Sequence, residues 1–553
     1  MRVMAMSVSL AAMAAGCVAE LGPDEPMAEA ADQGVIETAV AAPAPRPPMG
    51  WNSWNRFGCR GINERLIREI ADALVSSGLA AAGYDTLTID DCWSAKTRNG
   101  AGDLQSEPSK FAGGMKALGD HVHGKGLRYG IYASIGTATC TGKTPGSVDL
   151  EARDVRTFAA WGVDYIKADR CNADGLVLRD VFGRWRAAIA AVDRPIVLSA
   201  SDNGGREEPW SWGPVTAQQW RTTGDIRDTW ERMLSTFDGN ARHPAATAPG
   251  TYNDPDMLEI GNGGMSDLEY RTHMGLWALA SAPLIAGHDV RSMSAAAKAI
   301  LTHREVLDVD QDALGFQAVK VRDLGGGLQV WAKPIAASGG RAVGLLNRSG
   351  AAATLTVDWR DLGLGTGAAT VRDLWARANR GSFTGRYGVQ VPAHGLALLR
   401  IVGAEPGLVT GFVSDQPWSY AASEWGPVER DRSNGERGTG DGRTITLNGT
   451  THAKGLGVHA PAAVELRPDG ACSTFTADVG VDDEVGDRGS VRFQVWTDGR
   501  KVYDSGTMTG ATATRSVRVD LAGVTSLRLQ VVGVDTSAYD HADWASARVT
   551  CGS

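Results

Sequence analysis

Three features are missing from this sequence of 553 residues, and each absence argues against a class of protein. No block of basic residues stands out and the formal net charge is −9, so we expect no nucleic-acid partner. The seven cysteines contain no Cys-x-x-Cys pair, which argues against a zinc ribbon. No repeat with a period of about 20–50 residues is visible, which argues against solenoids and propellers.

Motifs for phosphate and metal ligands are also missing. The glycine-rich stretch Gly261-Asn-Gly-Gly-Met265 lacks the Lys-Ser/Thr pair that a phosphate-binding loop requires. No pair of histidines has zinc-ligand spacing on a predicted helix. We therefore expect no catalytic metal and no redox cofactor.

Apolar stretches long enough to span a bilayer are absent after the N-terminus, which itself has the pattern of an export signal over residues 1–17. Arg2 precedes a short apolar run, and Ala14-Ala15-Gly16-Cys17 resembles a bacterial lipoprotein cleavage box. Either Cys17 is lipidated and anchors an exported chain to the bacterial envelope, or ordinary cleavage nearby releases it. Residues 18–46 are rich in Ala, Pro and Glu, which predicts a disordered tether.

The length predicts about three domains. From about 47 to 310, short apolar runs alternate with helical patterns, as in the helix at Glu64–Ser77, capped by Gly78, before the strand Thr86–Asp90. About eight such units favour a closed (β/α)8 barrel. Residues 311–402 change to short alternating strands, which predicts an antiparallel β domain. Residues 408–553 are also strand-like, and a β-sandwich is expected.

Polar residues stand at the predicted C-terminal ends of five of the barrel strands. The carboxyl-end face is where barrel enzymes place their chemistry, so a shared pocket is expected there. The alternative is that these residues cap the following helices. The residues are Asp90 with Asp91, Tyr132, Lys167 with Asp169, Ser199, and Asp254.

Two of the carboxylates have the surroundings that glycosidic-bond cleavage needs. One carboxyl group must attack the anomeric carbon or activate water, and the other must protonate the leaving oxygen. Asp169 lies between Lys167 and Arg170, and a neighbouring cation favours an ionised nucleophile. Asp225 comes four residues after Arg221, and as an acid it would need a pocket that raises its pKa. From spacing alone, structural salt bridges would explain both residues equally well.

A series of longer motifs favours catalytic carboxylates over structural salt bridges. In chain order, these motifs are Pro48-Met-Gly-Trp-Asn-Ser-Trp-Asn55, Ile89-Asp-Asp-Cys-Trp93, Lys110–Leu118, Gly130-Ile-Tyr132, Trp161–Asp169, Trp220-Arg-Thr-Thr-Gly-Asp-Ile226, Asn253-Asp-Pro-Asp-Met-Leu258 and Gly261–Met265. Together they closely resemble glycoside hydrolase family 27, which contains α-galactosidases and α-N-acetylgalactosaminidases. The resemblance extends from about 47 to 310.

The resemblance implies a role for each site residue. Asp169 would be the nucleophile and Asp225 the general acid/base. The remaining residues would form the sugar pocket: Asp90 and Asp91 for the 4- and 6-hydroxyls, Lys167 for ring hydroxyls, Arg221 on the side of the 2-hydroxyl, Trp54 as an apolar wall, and Tyr132 and Met257. For Trp54 and Met257, plain core packing is the alternative.

The sequence departs from the family pattern at two places. The nucleophile motif has Ala168 and Arg170 where the family usually has Tyr and Asn. In the loop after strand five, the family often has Cys-Glu-Trp, and Ser201, Asp202 and Asn203 are expected at those positions. A shift of one residue would put Ser201 at the position that is Glu in galactosidases and Ser in N-acetylgalactosaminidases.

The same resemblance implies disulfides between Cys59 and Cys92 and between Cys140 and Cys171, and the clustering of the cysteines leaves Cys472 to pair with Cys551. Over about 412–552 the sequence resembles the novel putative carbohydrate-binding module of bacterial galactosidases, through Trp425–Asp431, Ala453–His459, Val479–Glu484 and Tyr539–Trp544. Asp482-Asp483-Glu484 would be either a calcium ligand set or a solvated turn. Trp418, Trp425 and Trp544 would either stack on sugars or lie in the core.

These expectations combine into a retaining exo-α-galactosidase acting on an α-galactoside oligo- or polysaccharide. α-N-Acetylgalactosaminidase activity is the close alternative, whereas the intact Asp90-Asp91 pair argues against β-L-arabinopyranosidase activity. A non-catalytic, lectin-like glycan-binding protein is the alternative from another class. The presence of both Asp169 and Asp225 argues against it.

Overall fold

The computed structural model describes residues 44–202 and 204–552. The expected signal, Cys17, the tether up to residue 43, and Asn203 lie outside these residues. Within the described chain, every helix is too short or too polar to cross a bilayer.

The first sheet is parallel and forms a barrel. From β1 to β7, each strand pairs with the next strand in the sequence, and β8 pairs with the free edge of β1. Beyond β7, the Leu258 N–H donates to the Ile285 carbonyl in β8 at 2.8 Å, which closes the ring. The strands are β1 Met49–Asn52, β2 Thr86–Ile89, β3 Arg128–Ser134, β4 Tyr165–Asp169, β5 Val197–Ser201, β6 Gln219–Arg221, β7 Tyr252–Asp254 and β8 Leu284–Ala286.

Helices connect these strands, and most of them bury apolar residues in the core. In α2 the buried residues recur at helical spacing, Leu66, Ile67, Ile70, Ala71 and Leu74, and Gly78 ends the helix with a φ of 88° that favours glycine. The helices are α1 Trp54–Gly61, α2 Glu64–Ser77, α3 Leu79–Ala82, α4 Gly114–Gly124, α5 Glu151–Ala160, α6 Leu178–Ala190, α7 Pro209–Thr216, α8 Trp230–Asn240, α9 Asp267–Ala280, α10 Ala295–Leu301 and α11 Arg304–Asp310.

After the barrel the chain forms antiparallel sheets. One has the order β14-β13-β16-β11-β10-β9, and β12 pairs with β15 to cover it. Their facing sides enclose an apolar cluster that includes Val343, Leu355 and Ile401. The strands are β9 Val319–Gly325, β10 Leu328–Pro334, β11 Gly340–Asn347, β12 Ala353–Asp358, β13 Ala368–Asp373, β14 Ala378–Thr384, β15 Arg386–Val391 and β16 Leu396–Val402.

The last part of the chain is a sandwich of two antiparallel sheets, ordered β19-β22-β30-β24-β28 and β18-β23-β29-β25-β26. Phe475, Phe493 and Trp544 meet in its core. The strands are β17 Gly411–Phe412, β18 Tyr420–Ser423, β19 Glu429–Arg430, β20 Ile445–Leu447, β21 Thr450–His452, β22 Gly455–His459, β23 Ala462–Leu466, β24 Cys472–Val481, β25 Ser490–Thr497, β26 Arg500–Asp504, β27 Met508–Thr509, β28 Arg515–Asp520, β29 Leu527–Gly533 and β30 His541–Cys551.

The structure corrects two details of the sequence interpretation. Strand β5 extends to Ser201, so Ser199 lies inside the strand and bonds Gln219 of β6 instead of ending it. The acidic turn is solvated only in part, because Asp482 is buried and accepts the N–H groups of Thr446 and Glu484, whereas Asp483 is exposed. A short carboxylate side chain that satisfies backbone donors explains this turn.

Three disulfides join the described chain, and they link the expected pairs. Cys59 bonds Cys92 and Cys140 bonds Cys171 in the barrel, whereas Cys472 bonds Cys551 between β24 and the end of β30. Each bridge restricts the unfolded chain and so stabilises the fold.

The terminal sandwich packs directly on the barrel. Gln530 of β29 donates to the Ala245 carbonyl at 2.6 Å, and the Arg528 guanidinium donates to the carbonyl of Thr247. The His243 ring contacts the Glu424 carboxylate at 2.8 Å. These polar contacts are buried, so the relative position of the two parts is fixed by specific partners.

A buried ion-pair network connects the middle sheets to the terminal sandwich. Arg341 donates to both carboxylate oxygens of Glu405, at 2.7 and 3.0 Å, and both side chains are almost completely buried. Arg467 of the sandwich lies 3.9 Å from the same carboxylate and 3.4 Å from Glu465. A bidentate pair of this kind stabilises only while both partners remain.

We predict that Arg341→Met destabilises this joint strongly. Removing the guanidinium leaves the Glu405 charge buried beside the more distant Arg467, which costs about 3–5 kcal/mol. Scanning calorimetry of the whole chain should show a transition at lower temperature. The control is Lys116→Met, which breaks an exposed pair with Asp120 and costs at most about 1 kcal/mol. Equal shifts for the two variants would contradict the prediction.

Candidate active site

The polar side chains at the carboxyl ends of the barrel strands converge on one face. Because the strands are parallel, their ends meet at the same rim of the ring. The residues that the sequence singles out there are Asp90 and Asp91 after β2, Tyr132 in β3, Lys167 and Asp169 in β4, Ser201 at the end of β5, Arg221 at the end of β6, and Met257 after β7.

Lys167 lies between two carboxylates. Its Nζ is 2.9 Å from Asp90 Oδ2 and 4.0 Å from Asp169 Oδ2. Burial opposes the charged amine, but the attraction of Asp90 and Asp169 outweighs it and raises the pKa of Lys167. The Asn52 amide of β1 donates to the same Asp90 oxygen at 2.8 Å. Lys167 therefore keeps its charge in the interior of the site.

Asp169 is buried, with 6% of its surface exposed. Ser201 donates to its Oδ1 at 2.9 Å from the neighbouring strand β5. Burial raises the pKa of Asp169 to about 6, although Lys167 acts in the opposite direction. The carboxyl group is thus ionised at neutral pH but close to its titration range.

The Cys140–Cys171 disulfide lies against this carboxylate. Cys140 Sγ is 3.4 Å from Asp169 Oδ2 and 3.2 Å from the Tyr132 hydroxyl, so the bridge holds one wall of the site. The backbone approaches closely here, because a Cβ on Gly136 would lie 2.1 Å from the Cys171 carbonyl oxygen. Both sulfurs are bonded to each other, which removes them as thiolate ligands for a metal beside Asp169.

Asp91 faces the loop that carries this bridge. Its carboxylate accepts the N–H groups of Cys92 at 2.6 Å and Thr141 at 3.3 Å. Burial raises the pKa of Asp91, and the neighbouring Asp90 adds to that effect while the backbone donors oppose it. The Asp90-Asp91 pair is therefore held from several directions, by Asn52 and Lys167 on one residue and by backbone donors on the other.

Arg221 contacts two carboxylates at the rim, those of Asp225 and Asp256. Its Nη2 lies 3.0 Å from Asp256 Oδ2 and 3.3 Å from Asp225 Oδ1, and its charge also acts on Asp169. The two carboxylates differ in exposure, since the Asp225 side chain is 73% exposed and that of Asp256 only 6%. Asp225 therefore lies at the open side of the site, whereas Asp256 is buried beside the Arg221 guanidinium.

The remaining predicted residues lie at the edge of the candidate active site. Trp54 is half-buried at the start of α1, and its N–H donates to the Asn52 side chain at 2.8 Å. Met257 is 8% exposed and follows Asp256. In the loop after β5, Asp202 turns away to accept the N–H groups of Gly204 and Gly205.

Sequence reasoning missed the residues that hold the site residues in place. Asp256 pairs with Arg221, and Asn52 with Ser53 fixes Asp90, because the Asp90 N–H donates to the Ser53 hydroxyl at 3.0 Å. Their signal was present in Asn253-Asp-Pro-Asp-Met257 and Trp51-Asn-Ser-Trp54, where polar residues directly follow β7 and end β1.

Comparison with known families covers nearly the whole described chain. A family profile described as alpha galactosidase A matches residues 46–312. A profile described as the alpha galactosidase C-terminal beta sandwich domain matches residues 325–401, and one described as the NPCBM/NEW2 domain matches residues 410–550.

Individual relatives agree with these profiles. An α-galactosidase of Oryza sativa subsp. japonica is 49% identical over 334 residues, which cover 60% of this chain and 79% of that protein. An α-N-acetylgalactosaminidase of Gallus gallus is 36% identical over 351 residues, which cover 60% of this chain and 86% of that protein. The crystal structure of α-galactosidase I from Mortierella vinacea superposes with a TM-score of 0.63 at 34% identity, covering 65% of this chain and 98% of that one.

We predict that Asp256→Asn destabilises the protein much more than Asp225→Asn does. Both carboxylates contact Arg221, but only the loss of Asp256 removes a buried partner of this buried cation, which costs about 3–5 kcal/mol. Thermal unfolding of the two variants is the measurement. An equal fall in the midpoint for both would show that Arg221 does not depend on Asp256.

Proposed function

Because this chain belongs to the α-galactosidase family, glycoside hydrolase family 27, we propose that it is a retaining exo-α-galactosidase that removes terminal α-D-galactosyl residues from oligo- or polysaccharides. The observation that carries the proposal is the unequal exposure of two carboxylates at the rim, Asp169 and Asp225. Asp169 is buried beside a cation and Asp225 is exposed at the opening.

In the proposed reaction Asp169 is the nucleophile. Its carboxylate attacks the anomeric carbon while the bond to the leaving oxygen breaks, and a galactosyl-enzyme forms. Asp225 first gives its proton to the departing oxygen and then takes one from the incoming water, whose oxygen displaces Asp169. The hydrogen bond from Ser201 and the charge of Lys167 support the ionised nucleophile. A retaining mechanism requires the two carboxyl groups to lie roughly 5–5.5 Å apart with substrate bound.

The sugar would be oriented by the buried polar groups around Lys167. Asp90 and Asp91 offer carboxylate oxygens for the 4- and 6-hydroxyls, and charge-assisted hydrogen bonds of this kind discriminate strongly between epimers. Lys167 would donate to ring hydroxyls and Arg221 would act near the 2-hydroxyl. Trp54, Tyr132 and Met257 would supply the apolar walls.

The α-N-acetylgalactosaminidase alternative rests on Ser201. This small residue donates to Asp169 at the end of β5. A shift of one residue in the register would put it at the position that is Glu in galactosidases and Ser in N-acetylgalactosaminidases. A serine there would leave room for an acetamido group on the 2-carbon. We place galactose first because the more similar relatives are α-galactosidases.

The remaining parts of the chain support this role in our proposal. Residues 47–310 would form the catalytic domain, 311–402 a supporting β domain, and 408–553 a module that binds carbohydrate. Disulfides on both the barrel and the terminal sandwich fit an exported protein. Residues 1–17 would direct export, and Cys17 would be the lipid site if the chain is anchored to the bacterial envelope.

The decisive experiment is a panel of nitrophenyl glycosides tested on wild type, Asp169→Ala and Asp225→Ala. We expect turnover of the α-galactoside, loss to background for Asp169→Ala, and a fall of about 10²–10⁴-fold for Asp225→Ala on galactosides with poor leaving groups. Asp238→Ala is the matched control, since this acid lies on α8 and pairs with Arg348.

Each alternative has its own outcome in that panel. Faster turnover of the acetamido substrate would establish the N-acetylgalactosaminidase. Binding of α-galactosides without any turnover would establish the lectin-like protein. Full activity in Asp169→Ala would remove the proposed nucleophile.

We predict an acid limb in the pH dependence of kcat/KM with an apparent pKa of about 6. Burial raises the pKa of Asp169 to about 6, so the carboxyl group is protonated below that pH and cannot attack. Lys167→Met removes the cation that lowers this pKa, and the limb should move to higher pH. Lys116→Met, on an exposed helix face, should leave it in place. A limb that does not move in Lys167→Met would assign it to another group.

A further inference from the structure

The terminal sandwich contains a cluster of two histidines and a glutamate that the proposed hydrolysis does not use. We call Glu436, His459 and His541 the His-His-Glu cluster. One ligand atom from each residue lies within 4.8 Å of the others. The residues come from separate segments, since His459 ends β22, His541 begins β30, and Glu436 lies in the connection after β19. Pairing between β22 and β30 places the two histidines directly opposite each other.

His459 has the orientation of a metal ligand. The side chain is completely buried, and its Nδ1 lies 3.1 Å from the Ala460 carbonyl oxygen. A carbonyl only accepts, so Nδ1 carries the hydrogen and Nε2 carries the lone pair. Among the described residues, Nε2 has no hydrogen-bond partner. A buried acceptor without a hydrogen-bond partner costs free energy, which indicates that this nitrogen has a ligand in the functional protein.

His541 is held in a matching way. Its Nδ1 lies 2.7 Å from Glu484 Oε1, and its Nε2 lies 2.8 Å from Glu436 Oε1. Metal-binding histidines typically have the second ring nitrogen fixed by a carboxylate or a backbone carbonyl, which orients the ring. Here Glu484 fixes Nδ1 of His541, and the Ala460 carbonyl fixes Nδ1 of His459.

Glu436 closes the cluster from the solvent side. Its N–H donates to Asn434 Oδ1 at 2.8 Å, which fixes the loop, and its side chain is 39% exposed, which leaves a route for an ion. The Trp425 ring stacks on the His459 ring, with centroids 4.7 Å apart and planes at 16°. The imidazole is therefore packed between the indole and the sandwich.

We propose that the His-His-Glu cluster is a zinc site, with His459 Nε2, His541 Nε2 and the Glu436 carboxylate as ligands and water in the fourth position. Two imidazole nitrogens and one carboxylate form a donor set that Zn²⁺ takes in tetrahedral geometry, with metal–ligand distances of about 2.0–2.2 Å. The three ligand atoms lie within 4.8 Å of one another, so an ion between them would draw the side chains together. The ion would replace the proton that joins His541 to Glu436.

Two simpler explanations fit less well. An ordinary ion pair between His541 and Glu436 leaves the buried Nε2 of His459 unexplained. A sugar ring stacked on Trp425 would have to reach that same atom, but His459 is completely buried and Trp425 already covers its face. A single ion fits between the three ligand atoms, whereas a hexose does not.

The position of the cluster connects it to the barrel. Ser537 of the loop before β30 donates to the Glu208 carboxylate at 2.7 Å, and the charge of Glu208 also acts on His459. Glu208 directly precedes α7, in the same connection that begins with Ser201 at the end of β5. A bound ion would therefore stiffen the sandwich at its contact with the barrel, away from the reacting carboxylates.

The test is isothermal titration calorimetry of the tag-free, metal-stripped full chain with zinc chloride alone. Wild type should bind one equivalent at micromolar or lower concentration, and zinc should raise the unfolding midpoint. Glu436→Gln, which keeps the size of the half-exposed side chain, should weaken zinc binding by at least about tenfold. His459→Gln should abolish it. The matched control is His452→Gln, because His452 lies in β21 outside the cluster and should bind zinc as wild type does.

Activity on the nitrophenyl α-galactoside should remain unchanged in Glu436→Gln, which separates this site from the proposed hydrolysis. Zinc binding that is absent in wild type, or that Glu436→Gln and His459→Gln leave intact while both variants fold, would overturn the proposal. Galactose binding that is lost in Glu436→Gln, without zinc binding in wild type, would assign the cluster to carbohydrate instead.

Discussion

The buried charge of Lys167 is the constraint on which the active site depends. A charged amine removed from water is stabilised by carboxylate partners, and Asp90 after β2 and Asp169 in β4 supply them. Asn52 then holds Asp90, and Ser201 holds Asp169. Strands β1, β2, β4 and β5 are thus tied by polar contacts at one rim. Burial raises the pKa of Asp169 there, while Lys167 and Ser201 favour its ionised form.

Arg221 is a second buried cation with carboxylate partners at the same rim. It has one buried carboxylate partner, Asp256, and one exposed partner, Asp225. Arg221 therefore contacts Asp225 at the open side of the rim, while Asp256 remains buried beside the guanidinium. The terminal sandwich supports the barrel from outside through contacts from Gln530 and Glu424, and Arg341 belongs to the network that joins the middle sheets to the sandwich.

Much of this arrangement was visible in the sequence. The helix Glu64–Ser77, its Gly78 cap and the parallel order of the barrel follow from local patterns, because apolar periodicity and glycine conformations are properties of short segments. The end of β5 was misplaced by two residues, since Ser199 and Ser201 are equally polar and only the pairing of Ser201 with Asp169 of β4 extends the strand that far. The partners Asp256 and Asn52 were overlooked because their contacts join residues far apart in the chain.

The sequence by itself determined the barrel, the β-rich remainder, the family and the candidate acids, since these depend on motifs and on the spacing of apolar residues. Only the tertiary structure decided which carboxylate is buried, which cation each one faces, and that His459, His541 and Glu436 meet. The reason is that burial and electrostatic coupling depend on distances between strands and loops, which are set by packing of the whole chain and are not encoded within any single segment.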